Sequence, residues 1–222
     1  VPEALRLLSP PEAVKLMAQA GIPVAAAPLA QEAEGAVEVA RQFGYPVVMK
    51  IAAPQIAHKT DVGGVYLGLE NDDEVRQAFR EMMDAAKLYE GLVTVDGVSV
   101  SPMAKPGGLE VILGTITDPQ YGPTLMFGLG GVNTEIYQDV AFCLLPADDA
   151  ELEDLMKRIK GYPLLTGYRG HPRRDTEALL TAMRALAIFT EKHPELGQIE
   201  LNPLLLYEKG LFAVDVRIFS RV

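Results

Sequence analysis

Lys50 ends the apolar run Val47-Val48-Met49, where a buried strand would carry another hydrophobic side chain. An ammonium held there without a partner costs several kcal/mol, so a buried Lys50 should meet an anion; the plainer reading is a strand-end lysine that reaches solvent. The stretch Ala57-His58-Lys59-Thr60-Asp61-Val62-Gly63-Gly64 follows at once. The free backbone of Gly63 and Gly64 beside two lysines is a phosphate-binding combination. His58 lies inside it and could take up or pass on a proton or a phosphoryl group near neutral pH. The loop is not a Walker A sequence, and no G-x-G-x-x-G follows a strand.

A second group of chemically able residues is acidic and late: Glu200-Leu201-Asn202-Pro203, then Asp215 on the next apolar run. Carboxylate and amide oxygens are the hard ligands that Mg²⁺ on nucleotide phosphates takes, with water completing its shell. An Asn-Pro turn with a strand-end aspartate is the alternative. A third feature is Gly128-Leu129-Gly130-Gly131, whose glycines permit positive φ and close approach of a ligand. His171 and His193 stand beside Pro172 and Pro194 in charged surroundings and read as solvent-exposed. Cys143, the one cysteine, lies in the apolar run Val140 to Leu145 and reads as a buried structural thiol without redox chemistry.

The elements that must hold these residues alternate. Apolar spacing marks helices over Glu12 to Ala20, Ala30 to Phe43, Asp72 to Leu88 (capped by Asn71 or Asp72), Asp148 to Ile159 and Asp175 to Lys192. Strands are expected at Ile22 to Ala25, Val47 to Ile51, Val65 to Leu69, Val93 to Met103 with a turn at Asp96-Gly97, Glu110 to Gly114, Leu125 to Phe127, Ile199 to Leu201 and Phe212 to Val216. Several strands follow one another through short turns, so the class is α+β. If there are two lobes, they join near Val100 to Gly108.

The 222 residues carry 20 Lys and Arg against 30 Asp and Glu, a net charge of −10, which argues against sequence-independent nucleic-acid binding. Any anionic ligand must be held by a few placed cations, backbone amides and a metal. No apolar run approaches the length of a membrane-spanning helix. The opening Val1-Pro2-Glu3-Ala4 does not read as a signal peptide, so a cytoplasmic address is expected.

Taken together, Ala53 to Val65, Glu110 to Gly114, Asp118 to Pro123, Met126 to Gly131, Gly161 to Gly170 and Glu200 to Leu204 resemble the ATP-grasp β subunit of ADP-forming acyl-CoA synthetases such as acetate–CoA ligase. The resemblance runs from about Ser9 to Phe219 in order and spacing. It implies an ATP-grasp fold, two α+β lobes with the nucleotide between them: a small lobe over 23–103 and a large lobe over 1–22 and 104–222. It implies ATP or ADP with Mg²⁺ as cofactors. Lys50 would hold phosphates, with Gly63, Gly64, Gly130 and Gly131 also lining the nucleotide. The backbone of Pro102, Met103 and Ala104 would meet the adenine, Glu110 would lie on the nucleotide, and Asn202 and Asp215 would be the metal ligands. Glu200 would orient a phosphohistidine, and His58 would relay the phosphoryl group. The implied reaction converts acyl-CoA, phosphate and ADP into the acid, CoA and ATP. Its phosphohistidine sits on a CoA-binding α subunit or fused domain, in a hetero-oligomer, with no nucleic acid and no membrane involved.

Glu135 and Asp139 match the family pattern, while Gln138 and Cys143 stand where it has Lys and Arg. If those cations contact phosphate or partner, this chain would be slow, altered in specificity or regulatory. Two rivals share the nucleotide site: a ligase that forms an acyl phosphate directly and dispenses with His58, and a nucleotide-sensing domain of a fused protein such as an acetyltransferase.

Overall fold

The computed structural model describes residues 5–53, 63–88, 94–131 and 138–221. It divides into two compact units, one made of Ser9–Val14 and Ala25–Ala104, the other of Val1–Leu8, Lys15–Val24 and Lys105–Val222. Helix α1 (Pro10–Gln19) gives its first residues to the former and its last to the latter.

The smaller unit is a four-stranded antiparallel sheet in the order β2-β5-β3-β4, with β2 Leu29–Ala30, β3 Val47–Ala52, β4 Val65–Leu69 and β5 Gly97–Pro102. Helices α2 (Ala33–Phe43) and α3 (Asp72–Leu88) cover one face. In α3, Val75, Ala78, Phe79, Met82 and Ala86 recur at helical spacing and are buried, a stripe that must be removed from water. Val75, Phe79 and Met82 pack with Val37 and Ala40 of α2 on Val47, Met49, Val98 and Val100. Asn71 is the α3 cap: its Oδ1 accepts from Glu74 N at 3.0 Å, and its Nδ2 donates to Glu74 Oε1 at 2.8 Å. Asp72 instead pairs with Arg41 and accepts from the Tyr45 hydroxyl at 2.7 Å. Burial, and then this bond, push the Tyr45 phenol up to about 12.

The larger unit is built on a seven-stranded antiparallel sheet ordered β1-β11-β9-β6-β7-β8, with β10 also pairing β9. Its strands are β1 Leu5–Leu7, β6 Leu109–Asp118, β7 Gly122–Leu129, β8 Val140–Leu144, β9 Leu196–Leu206, β10 Leu211–Ala213 and β11 Val216–Arg221. Helices α4 (Asp149–Arg158), α5 (Tyr162–Thr166) and α6 (Thr176–Lys192) belong to the same unit. Thr115 of β6 and Thr190 of α6, both buried, bond to each other at 3.0 Å, which places α6 on the face of Thr115, Leu113 and Leu125. Asp148 and Glu151 form a reciprocal capping box at the start of α4.

Several expected elements differ. Ile22 to Ala25 forms only an isolated bridge, Val24 to Ala213, because Pro23 has no N–H to give a ladder. The helix expected from Ala30 begins at Ala33, after the short β2. The strand expected from Val93 reduces to β5; residues 89–93 lie outside the described ones. Asn202-Pro203 is no turn, since β9 continues past it, with a shift of register against β6 at that point. The closing strand instead breaks at Val214 and Asp215 into β10 and β11. Among the described residues no helix is long and apolar enough to cross a membrane.

Candidate functional site

Lys50 sits in the middle of the small sheet, in register with Ser99 of β5 and Val65 of β4. Val47 and Met49 pack against the helices, so by alternation Val48, Lys50 and Ala52 face the other way. Ser99 and Ser101 share that face, opposite α2 and α3, and both are buried. Lys50 itself is half-buried between fully buried neighbours, and its carbonyl accepts from the Ser99 hydroxyl at 3.1 Å. A cation on a face that also carries two hydroxyls is a polar patch inside an otherwise apolar sheet.

At the end of β5, Pro102 pairs with Val47, and Met103 N donates to Pro46 O at 3.2 Å. Met103 is exposed and Ala104 half-buried. Pro102 has no N–H and that of Met103 is engaged, so only carbonyls and the Ala104 N–H could meet a ligand from this stretch. Gly63 has φ of 68°, and the Gly64 carbonyl accepts from Ile51 N at 2.9 Å. The two glycines therefore anchor the end of the loop onto β3. His58 lies outside the described residues.

In the larger unit, Glu110 and the glycine turn meet. Gly130 N donates to Glu110 O at 2.8 Å. A side chain on Gly130 would lie 2.9 Å from the Glu110 carbonyl carbon. Gly131, with φ of 66°, would place its Cβ 2.5 Å from Glu110 Oε2. Gly130 lies against the Glu110 main chain, which leaves no room for a side chain, and Gly131 takes the positive φ that turns the chain beside the exposed Glu110 carboxylate.

Glu200 and Asn202, both half-buried, lie two residues apart on β9, and Asn202 Nδ2 donates to Glu200 Oε1 at 3.2 Å. The main chain brings Asp215 alongside: Asn202 N donates to Asp215 O at 3.1 Å, and Val214 N to Pro203 O at 3.0 Å. Asp215 is thus not on a strand, as the sequence suggests, but in the break between β10 and β11. Its carboxylate stands 3.8 Å from Arg217 Nε, and Arg217 is the register partner of Glu200.

The donor set fits a hard cation. With Asn202 Nδ2 given to Glu200, its Oδ1 is the atom left to ligate, beside the Glu200 carboxylate. Among the described residues no three His, Cys, Asp or Glu gather as a metal cage. Mg²⁺ needs only one or two protein oxygens, because it keeps several waters and shares phosphate oxygens.

Sequence reasoning missed Arg217 and Gly114. Gly114, in register with Glu200, would put a Cβ 2.6 Å from Ile199 O. A glycine in a strand whose other residues include Val111, Ile112, Thr115, Ile116 and Thr117 was the signal available. Cys143 is half-buried rather than buried, and burial pushes its thiol up, which disfavours a nucleophile. Its register partner is Leu125, so position 143 belongs to the helix-covered face and not to that of Glu200. Gln138 has φ of 47°. His171 is exposed, as expected; His193 is half-buried instead, 4.1 Å from the Phe189 ring and 2.8 Å from the Glu195 carboxylate.

Residues 2–219 match the ATP-grasp domain family. The chain is 42% identical over 212 residues to the β subunit of acetate–CoA ligase (ADP-forming) I of Pyrococcus furiosus, covering 96% of this chain and 91% of that one. It is 40% identical to the ADP-forming 4-hydroxybutyrate–CoA ligase of Nitrosopumilus maritimus, of which the match spans only 28%. Among solved structures, acetyl-coenzyme A synthetase 1 of Ca. Korarchaeum cryptofilum with coenzyme A and Ca-AMPCP superposes with a TM-score of 0.92 at 41% identity, over 97% of this chain and 94% of that one. The same synthetase with coenzyme A and Mg-AMPPCP, its phosphohistidine segment pointing towards the nucleotide binding site, gives 0.81 at 40% identity, over 95% and 91% of the two chains. Match and superposition over nearly the whole length place this chain in the ATP-grasp family, among the β subunits and β regions of ADP-forming acid–CoA ligases.

Proposed function

We propose that this chain is the nucleotide-handling half of an ADP-forming acid–CoA ligase. It moves a phosphoryl group between ATP or ADP and a histidine on a CoA-binding partner, so that acyl-CoA, phosphate and ADP give acid, CoA and ATP. The observation that carries this reading is the grouping of Glu200, Asn202 and Asp215, one side-chain bond and one main-chain bond apart. The Pyrococcus relative is named as one subunit of such a ligase, and the Korarchaeum structures supply the phosphohistidine segment and the Mg-nucleotide by analogy. The lobes are assigned as 23–103 and, for the large one, 1–22 with 104–222, in the cytoplasm.

Phosphoryl transfer needs little covalent help; positioning and charge neutralisation do most of the work. Lys50 holds phosphate oxygens, and the turns at Gly63-Gly64 and Gly130-Gly131 let the main chain approach them. The backbone of Pro102 to Ala104 takes the adenine, while Glu110 binds the nucleotide. Asn202 and Asp215 would hold Mg²⁺, which when bound neutralises charge on the nucleotide phosphates. Glu200, with one oxygen taken by Asn202, turns the other to the imidazole of the incoming phosphohistidine and keeps its ring oriented. His58 is the relay.

Calorimetric titration with MgATP and MgADP tests the assignment. The wild type should bind in a metal-dependent way, and Asn202→Ala combined with Asp215→Ala should lose that dependence. Unchanged metal-dependent binding by the double variant would remove these residues from the site.

A further inference from the structure

Gln138 and Arg169 are the two non-glycine residues with positive φ among the described ones. Such a conformation persists only where surrounding structure over-determines it, and it marks functional regions. Gln138 introduces Asp139, the one carboxylate more than nine-tenths buried among the described residues, at 7% exposure. A buried carboxylate has to be satisfied locally. Asp139 Oδ1 accepts from Lys160 N and Oδ2 from Gly161 N, each at 2.7 Å, and its carbonyl accepts from Leu129 N at 3.2 Å. The fit is tight on every side. A Cβ on Gly161 would lie 2.3 Å from Leu129 Cδ1 and 3.1 Å from Asp139 Oδ2, and one on Gly128 would lie 2.5 Å from Asp139 O.

Asp139 therefore ties the end of β7 to the connection between α4 and α5. Leu129, which it holds, is followed directly by Gly130 and Gly131, the turn that closes on Glu110. We infer that Asp139 is a positioning residue for the nucleotide site: through Leu129 it fixes how closely the Gly130-Gly131 turn lies on Glu110, and so where that carboxylate and the turn's amides face. The inference rests on the reading above that Glu110 and the turn meet the nucleotide.

Asp139→Asn keeps the shape but leaves a single acceptor oxygen, so one of the two amides loses its partner. Gly161→Ala presses a Cβ onto the Leu129 side chain and Asp139 Oδ2, which strains the same junction while keeping the carboxylate's chemistry, and it decides the matter should Asp139→Asn not fold. Two readouts are needed: MgATP affinity by calorimetry for wild type, each variant, Glu110→Gln and the Asp139→Asn/Glu110→Gln pair; and amide exchange at Gly130 by NMR without nucleotide. The expected result is affinity lowered on the order of tenfold, as for groups that orient binding residues. The pair should bind little worse than Glu110→Gln alone, and Gly130 exchange should quicken while amides of β9 keep their rates. A merely structural role would lower stability yet leave the two substitutions additive. Wild-type affinity in a folded variant, additive effects, or unaltered Gly130 exchange would each overturn the inference. A wild type that fails to bind MgATP while Gly130 exchange still responds would instead overturn the nucleotide reading, and the inference with it.

Discussion

Gly114→Ala tests whether the large sheet is held as tightly beside Glu200 as the structure has it. In an ordinary strand interior this change is favourable by roughly 0.5–1 kcal/mol, because glycine loses more backbone freedom on folding than alanine. Here the added Cβ would stand 2.6 Å from Ile199 O and 3.5 Å from Glu200 Cα. The obstacle is main chain of the neighbouring central strand, so no rotamer relieves it and β9 must move away from β6. Overpacking of this kind costs about 1–3 kcal/mol, and each ladder hydrogen bond weakened in the process about 1 kcal/mol more. The clash outweighs the entropy gain, leaving a net loss of roughly 1–3 kcal/mol. For a chain of this size that lowers Tm by roughly 2–12 °C in a thermal melt followed by circular dichroism. Gly35→Ala, in the first turn of α2 with its nearest neighbour at an unstrained 3.8 Å, should shift Tm upward instead. A Gly114→Ala protein as stable as wild type would refute the close approach of β6 and β9.

Two further perturbations reach other parts of the molecule. Asp175 caps α6, accepting from Ala178 N at 2.9 Å and from Gly210 N at 2.7 Å, and these amides hold its carboxyl below the usual carboxylate range. Its folded pKa being lowered, its contribution is present above the unfolded value near about 4 and disappears as pH falls through the folded one. Asp175→Ala should therefore cost about 1–2 kcal/mol at pH 7 by urea denaturation, with the gap from wild type narrowing in acid; a gap that widens in acid would contradict the assignment. Lys50→Ala should slow phosphoryl transfer to the histidine-bearing partner by an amount equivalent to about 2–4 kcal/mol, the loss expected for one electrostatic contact to the transferring group. A wild-type single-turnover rate would remove Lys50 from the site.

The helices were the most legible part of the fold, because each carries its own amphipathic period and its own stop signals. Asp72–Leu88 matches the expectation to the residue, since Val75, Ala78, Phe79 and Met82 define one stripe and Asn71 is an unambiguous cap once Asp72 is taken by Arg41. Strand ends were less legible for a physical reason: they are set by partners distant in sequence. Nothing local says that β9 continues through Asn202-Pro203. It continues because Val214 N, arriving from the far side of the turn at Gly210, donates to the Pro203 carbonyl. The same partner places Asp215 in a strand break and not on a strand.

The candidate site was legible where residue type alone restricts the chemistry, and opaque where geometry does. Glu200, Asn202 and Lys50 stand out as polar groups in apolar runs. Arg217 did not, because its position opposite Glu200 exists only in the register of β9 and β11. The glycines lie between these cases. Gly130 and Gly131 read from sequence as room for a ligand, yet in the structure the space above them is bounded first by the chain's own Glu110. Their conformational freedom is spent in bringing main-chain amides beside a carboxylate, and that pairing needs something behind it to stay fixed. Asp139 supplies it from the other side of Leu129: in the sequence it only matched the family pattern, because its burial and its bonds to Lys160, Gly161 and Leu129 exist only in the fold.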